Sequence, residues 1–186
     1  MNRKTIAILA TILGLALLSV AAAEKYYFTP RVGAITDSLT APGPTFQVRV
    51  ECRDETGAWL PGAYYEFASR PNGDEAWHTI MTVRHDDPVA LPANQIRFVN
   101  GQVGYVWMCW CYAVTTDGGR RWSVWDASKI PDVARLQNYG LIEDVALGAD
   151  GKGTMRLNDL AVARGGPPQL YTVDYGQTWA PPATPN

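Results

Sequence analysis

Eight residues at positions 115–122, TTDGGRRW, return at positions 172–179 as TVDYGQTW. Each copy runs hydroxyl, any residue, Asp, any residue, Gly, two residues, Trp, which singles out Thr115, Asp117, Gly119 and Trp122, then Thr172, Asp174, Gly176 and Trp179. A pattern met twice in one chain is a shared structural unit rather than two reactive centres. Its chemistry suits a tight hairpin turn. The Thr hydroxyl and Asp carboxylate accept turn amides, the Gly takes a positive φ, and the Trp seals a neighbouring strand against the core. Residues 69–77, SRPNGDEAW, form a weaker third copy, with Asn72 standing for the Asp and one extra residue before Trp77.

The segments around these turns have the period of strands. In FQVRVECR, residues 46–53, Phe46, Val48, Val50 and Cys52 alternate with Gln47, Arg49, Glu51 and Arg53, which predicts a half-buried antiparallel strand with Cys52 facing the core. Further short strands are expected over 63–68, 77–83, 142–147 and 170–173, with a turn at Asp150-Gly151-Lys152-Gly153 and a partly alternating run over 154–162. Residues 26–44 suggest an extended leading segment with turns. Within 103–114, VGYVWMCWCYAV, both alternating faces are apolar, so a strand here must be covered on both sides, as in the interior of stacked sheets. One helix is predicted, over 126–139, restricted by Pro131 and ended by Gly140. Short strands separated by turns imply an all-β domain.

The N-terminus begins with Arg3 and Lys4, continues with an apolar run over 6–20, and ends in Ala21-Ala22-Ala23, the layout of a cleaved export signal occupying residues 1–23. A single anchoring helix is the alternative, but the run is shorter than the roughly 20 residues of a membrane span, and after cleavage no stable membrane insertion is expected. Residues 24–186 are the size of one domain. With the two basic residues of the signal gone, 14 of the 16 Lys and Arg remain against 18 Asp and Glu, a formal charge of -4. A nucleic-acid partner is not expected from a chain without clustered cations.

Three cysteines, Cys52, Cys109 and Cys111, lie in the exported part, where an oxidising compartment permits disulfides. Two residues apart on one strand, Cys109 and Cys111 face the same way at about 7 Å, so a bridge from Cys52 to one of them is the expected pairing. A CxC metal site lacks companion ligands, and no metal or cofactor is implied. His85-Asp86-Asp87 suits a solvated loop better than an acid–base cluster, the DGKG turn lacks the spacing of a phosphate loop, and no serine has a nucleophile motif around it.

The repeated turn resembles the Asp-box, or bacterial neuraminidase repeat, of pattern Ser/Thr-x-Asp-x-Gly-x-x-Trp. In that family the box joins two strands of a propeller blade and lies away from any active site, so the resemblance implies a structural role for the eight box residues. Blades of about 40 to 50 residues would fit three or four times into residues 24–186. The expectation is a small or incomplete β-propeller-like array of antiparallel sheets, with a β-sandwich as the alternative. Sialidases carry the box too, but the arginines at 84, 97, 120, 121, 135, 156 and 164 show no arrangement like their substrate-binding set, and the chain is much shorter.

The stretch GYVWMCWCYAVTTDGGRRWSVWDAS, with the export signal and the length, resembles periplasmic immunity proteins that protect bacteria from lipase effectors delivered by type VI secretion. That resemblance implies a non-enzymatic protein whose partner is a cognate toxin, occluded by a rigid β surface. Trp59, Trp77, Arg120, Arg121 and Trp125 are the candidate contacts. A non-catalytic assembly or adaptor protein, and a sialidase-like glycan hydrolase, are the competing functions.

Overall fold

The computed structural model describes residues 31–56, 62–86, 88–91, 93–126 and 141–182. The export signal at 1–23, Trp59, Asp87 and all but the first residue of the helix expected over 126–139 lie outside the described residues.

The chain folds as an all-β protein of three antiparallel sheets, each built from strands consecutive in sequence. The first sheet has the order β1 (Arg31–Pro42), β2 (Phe46–Thr56), β3 (Ala63–Pro71) and β4 (His78–His85). The second has β5 (Ile96–Phe98), β6 (Gly104–Met108), β7 (Cys111–Thr115) and β8 (Ser123–Asp126). The third has β9 (Ile142–Leu147), β10 (Gly153–Leu157) and β11 (Gln169–Thr172), and a single isolated antiparallel bridge joins Tyr171 to Ala180. None of the sheets closes on itself.

Side-chain alternation stacks the sheets. Phe46, Val48, Val50 and Cys52 of β2 are buried as expected, and with Tyr65, Phe67 and Val83 they meet Ile96, Val106, Met108 and Ala113 of the second sheet. The second sheet turns Tyr105, Trp107, Tyr112, Val114 and Trp125 the other way, onto Ile142, Val145, Met155, Leu157 and Leu170 of the third. The middle sheet is apolar on both faces because both are covered. Arg97 ties it to the third sheet, donating to the Val145 carbonyl at 2.7 Å and the Asp144 carboxylate at 2.9 Å while lying 4.9 Å over the Trp107 ring. The outer face of the first sheet is polar: Glu51 sits between Arg49 at 3.1 Å and Arg53 at 2.7 Å.

Four local expectations are corrected. The run over 103–114 is not one strand but a hairpin, with Met108 opposite Cys111 and Cys109-Trp110 as its two-residue loop. Cys109 has φ 55, the positive value that a tight hairpin loop needs and that glycine usually supplies. The reversal carries Cys109 out of the strand that was to align it with Cys111. All three cysteines are free thiols, and the Cys52 bridge is not formed. The leading segment contains β1, a long edge strand whose exposed side chains, Ile35 among them at 46%, hide it from a hydrophobic pattern. The run over 154–162 breaks at Asn158, whose side chain caps α1 (Asp159–Ala163) by accepting the Ala161 amide at 2.9 Å.

Candidate functional site

The first box connects the third strand of its sheet to the fourth, β7 to β8, and the second leads from β11 to the isolated bridge at Ala180. In the first, the Thr115 hydroxyl donates to Asp117 Oδ1 at 3.0 Å and accepts the Gly119 amide at 3.0 Å. The same Oδ1 accepts the amides of Arg120 at 3.1 Å and Arg121 at 2.9 Å. The second repeats this: Thr172 donates to Asp174 Oδ1 at 2.7 Å and accepts the Gly176 amide at 2.9 Å, and Asp174 accepts the Thr178 amide at 3.0 Å and its hydroxyl at 2.6 Å. A carboxylate that receives this many donors from its own turn is held in one orientation.

A bond across each sheet end fixes the register of the third copy. Gly118 N–H donates to the Gln102 carbonyl at 2.9 Å, Tyr175 N–H to that of Gly151 at 2.8 Å, and Asn72 N–H to that of Thr45 at 2.8 Å. The glycine that follows has φ 85 at Gly119, 79 at Gly176 and 94 at Gly73. Asn72 therefore matches Gly118 and Tyr175, and Pro71, not Asn72, takes the place of the Asp. The extra residue falls between Gly73 and Trp77.

Each complete box also docks on the sheet before it. Trp122 meets Phe46 of the first sheet edge to face at 6.0 Å, and its Nε1 donates to the Ser69 hydroxyl at 2.8 Å. Ser69, the buried counterpart of Thr115 in the third copy, donates in turn to the Gly119 carbonyl at 3.0 Å. Trp179 meets Tyr112 of the second sheet at 5.4 Å and 89°, and the Tyr112 hydroxyl donates to the Tyr175 carbonyl at 3.1 Å. Ser69 and Phe46 are functional parts of the docking that sequence inspection missed, because no motif joins residues about fifty or more positions apart.

Electrostatics agree with a structural turn. Burial opposes ionisation of Asp117, but the Arg121 amide, the Thr115 hydroxyl and the Arg120 amide outweigh it and hold the carboxyl below its usual value. Burial likewise opposes ionisation of Asp174, outweighed by the hydroxyl and amide of Thr178 and the hydroxyl of Thr172. A carboxyl lowered on folding adds stability above its unfolded pKa, about 3.9 for Asp, and that stability is lost as pH falls through the folded value. Acid titration of the wild type should therefore show a loss of melting temperature below about pH 4 that is smaller in Asp117→Asn and Asp174→Asn. Asp117→Ala, which leaves two turn amides and a hydroxyl without their acceptor, should cost about 1–2 kcal/mol in denaturant unfolding.

Burial pushes the Cys109 and Cys111 thiols up to about 12, so at neutral pH neither is a nucleophile or metal-ready thiolate. Among the described residues no three His, Cys, Asp or Glu side chains are grouped to hold a metal ion. Asp86 is paired with Arg84, which also binds Glu55 through Nε at 3.0 Å and Nη2 at 2.8 Å. Clefts of about 340 and 400 Å³ flank the first box, one holding Arg120 and the other Arg121 with Ser123. Neither cleft is lined by a histidine.

No protein-family model, curated protein or solved structure matches this chain.

Four of the five candidate contact residues are described, and they do not form one patch. Trp125 is 5% exposed in the core between the second and third sheets, so it is a packing residue and not a contact. Arg120 and Arg121 are exposed on the first box, with Arg120 Nη1 folded back onto the Asp117 carbonyl at 3.1 Å. Trp77 lies half-buried on the outer face of the first sheet, between the guanidiniums of Arg49 and Arg70.

Proposed function

We propose that the three sheets are blades of a short, open propeller-like array, and that the chain is an exported, periplasmic immunity protein that binds a lipase-type effector and neutralises it by occlusion. The observation that carries the non-catalytic reading is that both box carboxylates are engaged by donors of their own turns, Asp117 through three bonds to Oδ1 and Asp174 through both oxygens. The groups that look reactive in the sequence hold hairpins instead. The engagement of Arg84 with Glu55 and Asp86, and of Arg97 with Asp144, further supports it, since a glycan hydrolase of the sialidase type needs arginines free for its substrate.

Occlusion requires a surface that keeps its shape, because ordering on contact subtracts from affinity. Stacked sheets with latched turns supply one. The test is co-expression, in the periplasm, of the full chain with the product of the adjacent reading frame. Survival of cells that otherwise lyse, together with co-elution of the two proteins, is the expected result. Continued toxicity with separate elution overturns the proposal.

A further inference from the structure

The two complete boxes obey one rule: the Trp that ends the turn packs on the sheet preceding its own. Trp122 of the second sheet lies on Phe46 of the first, and Trp179 of the third lies on Tyr112 of the second. Trp77 ends the same turn in the first sheet, and no sheet precedes that one among the described residues. Its indole instead rests half-buried on the outer face, with the Arg49 and Arg70 guanidiniums each 4.7 Å from the ring centroid. Two cations on one ring fix its orientation before any partner arrives.

The chemistry around the ring selects the partner. On the strands of this face four guanidiniums, Arg49, Arg53, Arg70 and Arg84, accompany three carboxylates, Glu51, Glu55 and Glu66, with Arg84 held by Glu55. Glu51 serves both Arg49 and Arg53, whereas Arg70 bonds only the neutral Gln47 amide oxygen, at 3.1 Å, and makes no ion pair among the described residues. An immobilised Trp flanked by arginine is the composition of an energetic centre in a protein interface. We propose that the outer face of the first sheet, centred on Trp77, is the docking surface for the partner protein, and that the partner covers the indole and brings a carboxylate to Arg70. This rests on the partner-binding function above and assigns it a face. Arg120 and Arg121, on the first box, are then not the anchor.

The experiment is calorimetric titration of the purified product of the adjacent reading frame into the full exported chain and its Trp77→Ala, Arg70→Glu and Arg156→Glu variants, with melting curves for each. Trp77→Ala and Arg70→Glu are expected to weaken binding at least about 30-fold, more at low than at high salt for Arg70→Glu, with unchanged melting. Arg156→Glu, on the outer face of the third sheet, is expected to bind as the wild type does. Wild-type affinity in Trp77→Ala and Arg70→Glu overturns the assignment of this face and leaves the immunity function standing. No binding by the wild type overturns both. Melting of Trp77→Ala lowered as far as that of Trp122→Ala, or a wild-type dimer in light scattering that Trp77→Ala dissociates, also overturns it, by showing that the indole serves the fold or a second copy.

Discussion

Gly119→Ala and Gly176→Ala are each expected to cost about 3 kcal/mol or more, enough to unfold a substantial fraction of a domain of ordinary stability. Two effects combine. A residue with a Cβ at φ 85 or 79 has an unfavourable backbone, worth roughly 1–2 kcal/mol. The added Cβ would also stand 2.8 Å from the Phe46 ring at position 119 and 2.4 Å from the Tyr112 hydroxyl at position 176, and overpacking of this kind costs about 1–3 kcal/mol. Gly73→Ala separates the two effects, since its φ is 94 but nothing lies within 4 Å of the new methyl. Urea unfolding should rank Gly73→Ala as the mildest of the three. Equal losses would show that the close approach of each turn to the preceding sheet contributes nothing.

Trp107→Ala should be comparably damaging, about 3–5 kcal/mol. The side chain is 1% exposed, stacks on Tyr105 at 5.9 Å and supports Arg97 from below. Its removal opens a cavity between the second and third sheets and frees the guanidinium that holds Val145 and Asp144, so one substitution loosens packing and latch together. Val124→Ala, on the edge strand β8 with a residue 44% exposed, is the control and should change the midpoint little. A Trp107→Ala protein as stable as this control would mean that the two sheets are held together elsewhere.

What could be read from the sequence follows how local each cause is. The alternation in residues 46–53 and the turn chemistry of the two boxes are settled within a few positions, and both stand in the structure. The hairpin at Cys109-Trp110 carries no Gly, Asn or Pro, so its turn is concealed inside an unbroken apolar run. Strand β1 is concealed for the opposite reason, because an exposed edge needs no apolar face. The third box was legible as a copy but not in register: matching by side chain put Asn72 on the Asp, whereas the backbone bond to Thr45 and the positive φ of Gly73 put Pro71 there. The docking of Trp122 on Phe46 and Ser69 depends on residues far apart in the chain, and no pattern in one segment announces it.

Because every sheet is made of neighbouring strands, most of the hydrogen-bond ladder can form while only part of the chain is available. The apolar face of the first sheet can then exist before the residues that cover it. The second sheet covers most of it through Ile96, Val106, Met108 and Ala113, and the turn at 116–122 closes the end at Phe46, so docking of one sheet on the next, rather than growth of the ladders, is where the long-range contacts are made.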